Sequence, residues 1–481
     1  MTAPARLKSF IGGGWHESAA DEWFADVNPS DSSDVLAAVP HGTSDDVDVA
    51  VAAAANALPA WRALPGPSRA EILYKWAAAI GDRHEELAQL ITREVGKPIG
   101  ESRGEAARCI AILRYYAGEA VRAIGDVIPA QAPGALQFTL SPPLGVVALI
   151  TPWNFPVAIP LWKAAPALAF GNTVVLKPAE SSAKSALFLA ECASTAGIPA
   201  GVFNVLVGIG QVIGPALIAA PEVRAVSFTG SGRVGAGVAS AAAARNIRYQ
   251  TEMGGKNVAI VLPDADLRQA ASLTAAGAMR YAGQKCTATS RVVVAREVES
   301  KFLDELRSQV AALPIGPVTD ATSAVGPVIS QTSRDAIRGV LGEMDAECIY
   351  TGDISSADFA RGFFLPPTIV RNAPADSALA QRELFGPVLA SFTANDLDHA
   401  IELANSTQYG LSAALFTRDL RSALRYIDRI DAGMVRVNGD TTGVDPHAPF
   451  GGMKSSSSGS REQGSAARDF YTETKTVQIN P

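Results

Sequence analysis

Cys286 stands in the run Gly283-Gln284-Lys285-Cys286-Thr287, and Glu252 precedes it in Thr251-Glu252-Met253-Gly254-Gly255-Lys256-Asn257. A cysteine attacks carbon through its thiolate, and a carboxylate in reach activates either the thiol or, later, a water. The pair therefore offers a nucleophile and a general base. A single cysteine carries little weight alone, because free cysteines are among the most buried residues of any fold.

Two further runs have the texture of a ligand site. Phe228-Thr229-Gly230-Ser231-Gly232 closes an apolar run and opens a helical one at Arg233. Glycine there lets backbone N–H groups approach a phosphate, and a helix N-terminus favours its negative charge. The run is not the usual GxGxxG, and a glycine-rich turn without a ligand is the competing reading. Lys177-Pro178-Ala179-Glu180 ends another apolar run. Open α/β sheets bind ligands at such carboxyl ends, and Glu180 would accept from ribose hydroxyls. A solvated strand end explains the same residues without a ligand.

These groups need elements to hold them. Residues 45–57, behind a candidate cap at Ser44, and residues 69–92 and 101–123 have helical periodicity. After Pro129 the pattern changes to short apolar runs, Val146-Val147-Ala148-Leu149-Ile150, Thr173-Val174-Val175-Leu176, Phe203-Asn204-Val205-Leu206 and Ala225-Val226-Ser227-Phe228, each followed by a turn and an alanine-rich stretch. That is βα alternation, hence a buried parallel sheet with helices on both faces. A second series begins at Val258-Ala259-Ile260-Val261. The fold class is α/β, with two parallel-sheet units meeting near Gly254-Gly255 around a cleft. The run Ser455-Ser456-Ser457-Ser458-Gly459-Ser460 reads as a flexible surface loop. Residues 474–479 alternate as a strand that needs a partner sheet, which another subunit would supply.

Composition narrows the class. At 481 residues the chain exceeds what one core holds, so two domains or more are expected. A net charge of −7 without clustered Lys and Arg argues against a nucleic-acid surface. Cys109, Cys192, Cys286 and Cys348 show neither disulfide nor zinc spacing, so no metal is expected and a reducing, cytoplasmic setting fits. The apolar stretch 146–176 is broken by prolines, Asn154 and Lys163, and residues 1–15 hold no signal-like core, so no membrane association is expected.

Seven motifs in order carry a resemblance: Ile150-Thr151-Pro152-Trp153-Asn154-Phe155-Pro156, Leu176-Lys177-Pro178-Ala179-Glu180, Phe228-Thr229-Gly230-Ser231, Glu252-Met253-Gly254-Gly255-Lys256, Gly283-Gln284-Lys285-Cys286, Glu383-Leu384-Phe385-Gly386-Pro387 and Pro449-Phe450-Gly451-Gly452. In this order they resemble the NAD(P)-dependent aldehyde dehydrogenase superfamily. The resemblance implies a cofactor domain (residues 1–124 and 143–254), a catalytic domain (255–454) and a small β oligomerisation element (125–142 and 455–481), in a homodimer or homotetramer. It implies that Cys286 attacks the aldehyde of a small-molecule substrate, that the Asn154 amide and the Cys286 backbone N–H bind the oxyanion, and that Glu252 activates the water that hydrolyses the thioester. The cofactor wall would be Ile150, Thr151, Pro152, Trp153, Lys177, Glu180, Gly230, Ser231, Glu383 and Phe385. NAD is the implied cofactor, and a carboxylate at Glu180 would repel the 2′-phosphate of NADP, which many members also accept.

For the substrate, Phe155, Trp162 and Phe450 resemble the family's aromatic tunnel. Arg280, six residues before Cys286, resembles the arginine that semialdehyde dehydrogenases turn to a substrate carboxylate. The run 437–450, Arg461-Glu462-Gln463-Gly464 and Ile159-Pro160-Leu161-Trp162-Lys163 are similar to the 2,5-dioxopentanoate (α-ketoglutaric semialdehyde) dehydrogenases. Trp162 departs from the succinic semialdehyde branch, which has a second arginine there. A broad-range aldehyde oxidiser, a coenzyme A-acylating enzyme and a dinucleotide-binding protein without chemistry are the other readings. Glu252 speaks against the acylating enzyme, and Cys286, Glu252 and Asn154 together speak against the binding protein.

Overall fold

The computed structural model describes residues 4–123 and 125–481; the domain bounds expected at residues 1–3 and at 124 lie outside the described residues. Two parallel sheets dominate. In the first, five parallel strands run in the spatial order Phe203–Val205, Thr173–Lys177, Val146–Ile150, Val223–Thr229, Arg248–Glu252. Their apolar runs are covered on both faces, which is what a parallel sheet requires of its sequence. Chain direction along the sheet reverses between Val146–Ile150 and Val223–Thr229, the kind of switch point where open α/β sheets leave a crevice for ligands. The loops holding Asn154 and Gly230-Ser231 leave those two strands.

The second sheet orders Thr368–Arg371, Val388–Ala394, Arg291–Ala295, Val258–Val261, Ser412–Phe416 and Met434–Val437 in parallel, with Glu347–Thr351 antiparallel at one edge. Arg248–Glu252 passes into Val258–Val261 through the glycine pair. The carboxyl edge of the first sheet therefore abuts the amino edge of the second. Cys286, in the loop that enters Arg291–Ala295, falls on that seam.

The N-terminal third packs as helices against the first sheet. Ser44–Ala63 begins with a capping box in which Thr43 and Asp46 satisfy each other's backbone N–H groups, so the cap is Thr43 and not Ser44. The stretch expected as one helix over 69–92 is two, Gly66–Asp82 and His84–Val95, broken at Arg83. Trp76 lies fully buried with its ring 5.0 Å from Phe203. Among the described residues no helix is long and apolar enough to cross a membrane.

Two expectations for the C-terminus are corrected. The serine run is no free loop: Ser457–Gly459 pairs antiparallel with Arg248–Glu252, placing Ser457 opposite Glu252. Backbone bonding to a sheet edge outweighs the local preference of serine and glycine for coil. The strand Lys475–Ile479 finds its partner in its own chain, pairing with Leu136–Leu140 in a three-stranded sheet completed by Val127–Ile128.

Candidate active site

The nucleophile loop is shaped by backbone strain and held by amides. The helix Leu267–Met279 ends before Arg280, after which Tyr281 and Ala282 take φ of 56° and 52°, conformations unfavourable for residues with a Cβ. Gly283 follows at φ 66°, where a Cβ would lie 2.5 Å from the Gly386 carbonyl. Beyond this turn, Asn257 Nδ2 donates to the carbonyls of Cys286 at 2.7 Å and Ala288 at 2.9 Å. Gln284 is pinned through its side chain to the Pro327 carbonyl at 3.1 Å and the Ile329 N–H at 2.8 Å. The result is a half-buried, free thiol on a main chain tied by these side-chain amides.

Cys286 lies where two cavities meet. The larger, about 840 Å³, is lined by all ten residues assigned above to the cofactor and by Asn154. The smaller, about 560 Å³, is lined by Phe155, Trp162, Arg280 and Phe450. Asn154 is buried and donates one N–H from Nδ2 to the Gln284 carbonyl at 2.9 Å, two residues from the nucleophile, which leaves its second amide N–H available.

The surroundings of the thiol disfavour its thiolate. Burial, and then the carboxylates of Glu383 and Glu252, push Cys286 up to about 12. Glu383 is itself pushed up to about 7 by burial, against the hydrogen bond it accepts from the Gly255 N–H at 3.0 Å. A Cβ at 254 would lie 2.0 Å from Glu383 Oε2, so a larger residue there would displace that carboxylate. Trp153 and Phe385 meet edge-on at 5.7 Å in the same wall.

Glu252 departs from the simplest expectation. It is buried and lines neither cavity. Oε2 accepts from Ser457 Oγ at 2.5 Å, while Oε1 is buried without a partner. Burial, then the charge of Glu462, hold this carboxyl well above the ordinary carboxylate range, against the Ser457 hydrogen bond and the charges of Lys163 and Arg461. The carboxyl is thus turned aside, held by a strand that the serine run did not announce.

Sequence reasoning also missed the supports. Glu462 accepts from Trp162 Nε1 at 2.7 Å and forms a buried ion pair with Lys163, whose ammonium donates to Ser227 at 2.8 Å. Trp162 is therefore an oriented wall rather than a loose aromatic. Lys97, in a buried pair with Glu105, sits 4.0 Å over the Phe155 ring, while Glu105 caps the helix Ala158–Ala169 through the Val157 and Ala158 N–H groups at 3.1 and 3.0 Å. Glu462 stood in a motif already noted. Nothing local to Lys97 or Glu105 pointed to this place.

The aldehyde dehydrogenase family model matches residues 15–477. An alpha-ketoglutaric semialdehyde dehydrogenase of Bacillus subtilis (strain 168) is 45% identical over 477 residues, covering 98% of both chains. An alpha-ketoglutarate semialdehyde dehydrogenase of Haloferax volcanii is 40% identical over 482 residues, covering 99% of both. The crystal structure of an NAD-dependent aldehyde dehydrogenase from Sinorhizobium meliloti is similar with a TM-score of 0.95 and 35% identity, covering 99% of this chain and 95% of that one.

Proposed function

Because the chain belongs to the aldehyde dehydrogenase family, we propose that it oxidises a carboxylate-bearing semialdehyde, of the 2,5-dioxopentanoate kind, to the acid with NAD. The observation that carries this reading is the position of Cys286 at the junction of two cavities, one bordered by Asn154 and the other by Arg280.

The larger cavity suits a dinucleotide. Thr151 and Thr229 present buried hydroxyls without partners in its wall. Ser231 stands at the N-terminal boundary of the 13-residue helix Gly232–Ala244 without a side-chain capping bond, and the N–H groups and dipole of that helix favour a phosphate. Lys177 and Glu180, 3.4 Å apart, stand at the strand end where ribose hydroxyls would be received. When bound, NAD supplies the acceptor for the hydride that leaves the substrate carbon.

The chain's own residues do the rest. Cys286 Sγ, once deprotonated, attacks the aldehyde carbon. The free N–H of Asn154 and the Cys286 backbone N–H stabilise the oxyanion that forms; one such donor is worth about 3–4 kcal/mol in comparable sites. After oxidation the acyl group is a thioester on Cys286. Glu252 leaves Ser457, turns toward the seam and takes a proton from the attacking water. Its raised proton affinity suits a base that must hold that proton briefly. Phe155, Trp162 and Phe450 exclude bulk water from the chain of the substrate, and Arg280, exposed at the cavity wall without an ion pair among the described residues, receives the carboxylate.

A homodimer or homotetramer is the assembly proposed, supported by Val127, Leu136, Leu140 and Ile479, which stay exposed on the three-stranded sheet.

The test is NAD⁺ reduction with 2,5-dioxopentanoate, succinic semialdehyde and pentanal, for the wild type and Arg280→Ala. Charged substrates are expected to win by about tenfold, roughly 1.4 kcal/mol, and Arg280→Ala to erase the margin. If pentanal does equally well and the substitution changes nothing, the enzyme is a broad-range aldehyde dehydrogenase and Arg280 is structural.

A further inference from the structure

Five charged side chains line the smaller cavity: Glu101, Glu105, Arg108, Arg280 and Lys285. Three are neutralised. Lys285 donates to Glu101 at 2.8 Å, and Glu105 is paired with Lys97 behind the wall. Arg108 and Arg280 form no ion pair among the described residues, so two guanidiniums of the cavity wall are left without a direct carboxylate partner.

Arg108 is the less expected of the two. Glu101, Glu105 and Arg108 recur at i, i+4 and i+7 of the helix Ile99–Glu119, so they share one face along the cavity. Glu101 marks the end that the Lys285 ammonium reaches. Arg108 stands about 10 Å further along the axis, in the same cavity wall that Cys286 borders. The guanidinium is half-buried; Nη2 donates to the Val444 carbonyl, while Nε is buried without a partner. Burial holds its pKa below the ordinary arginine value, against the opposing charges of Cys109, Asp445 and Glu105, none of which forms an ion pair with it. A buried Nε–H without an acceptor is costly to the fold, and a cavity wall is where a ligand can supply one.

We infer that Arg108 is a second anion-binding arm of this cavity, acting with Arg280 on the 2-oxo-carboxylate end of the substrate and so determining specificity. The inference rests on the semialdehyde reading above. It also explains how the pocket manages with Trp162, whose indole is committed to Glu462: the second cation comes from a different helix. A planar fork with an unspent Nε–H suits the coplanar oxygens of a 2-oxo acid.

The experiment compares the ratio of kcat/KM for 2,5-dioxopentanoate over pentanal in the wild type, Arg108→Met and Arg108→Lys. In parallel, protection of Cys286 from iodoacetamide by 2-oxoglutarate is measured without NAD. The ratio is expected to fall about tenfold or more in Arg108→Met, chiefly through KM on the charged substrate, with partial recovery in Arg108→Lys. The 2-oxoglutarate concentration giving half-protection should rise by a similar factor. An equal loss on both aldehydes would make Arg108 a tether for the Val444 loop and overturn the inference, as would an unchanged ratio. If Arg108→Met does not fold, the ratio and protection in Arg108→Lys decide, and wild-type values for both overturn it. A wild type that itself shows no preference for the charged aldehyde removes the semialdehyde reading and this inference together. A preference that survives Arg108→Met removes this inference alone.

Discussion

Replacing Asn154 by alanine tests whether this buried amide does chemistry or only holds the loop. Asn154 has two side-chain N–H groups, and the Gln284 carbonyl occupies one at 2.9 Å. The other is what the oxyanion would use, beside the Cys286 backbone N–H. Losing one such donor costs about 2.7–4 kcal/mol of transition-state stabilisation, or about 10²–10³ in kcat. Truncation also strips a partner from the Gln284 carbonyl, a loss of about 1–3 kcal/mol if no water replaces it. That second cost falls on folding, so it appears in the melting temperature and not in the ratio of kcat to KM. The assay is therefore paired: steady-state and single-turnover NADH formation against thermal unfolding. The expectation is a fall of about a hundredfold or more in both the single-turnover rate and kcat, with KM little changed. A fall below about fivefold, or one confined to KM, would show that Asn154 is a loop clamp and that the backbone N–H acts without it.

Glu252→Gln keeps the shape of the buried side chain and removes its basicity; the first turnover of NADH should survive while steady-state turnover drops by about 10²–10⁴, and undiminished turnover would take Glu252 out of hydrolysis. Cys286 is pushed up to about 12 by burial and then by Glu383 and Glu252, so only a small thiolate fraction exists at neutral pH. Iodoacetamide inactivation without cofactor should therefore rise about tenfold per unit from pH 7 to 9 with no plateau. Glu383→Gln removes one of the opposing charges and should raise the rate at every pH in that window; a plateau near pH 8 in the wild type would mean that the thiol is already activated. Glu180→Gln should narrow the preference for NAD over NADP by weakening repulsion of the 2′-phosphate, measured as the ratio of kcat/KM values; a ratio that stays put would move cofactor selection elsewhere in the wall.

Much of the molecule was legible because its signals are local. The runs Val146–Ile150 and Thr173–Lys177 announce buried parallel strands by composition alone, since a strand covered on both faces has no polar side to keep. Cys286 and Glu252 were readable as a candidate nucleophile and a candidate base from their types, and Asn154 as a candidate donor from the motif resemblance. Tertiary structure alone decided where each of them is held. Asn154 reaches the Gln284 carbonyl across 130 residues, and Ser457 reaches Glu252 across 205. The serine run becomes a strand only because the edge of Arg248–Glu252 offers unpaired backbone groups. That pairing turns the Glu252 carboxyl aside. Arg108 carried no signal in its own neighbourhood; its significance arises because Glu101 and Glu105 on the same helix face are paired with Lys285 from a distant segment and with Lys97 just ahead of the helix, leaving Arg108 in the cavity wall outside any ion pair among the described residues. Residue types determine which groups can react, through their own chemistry, whereas charge balance and direction depend on neighbours that only the folded chain brings within a few ångströms.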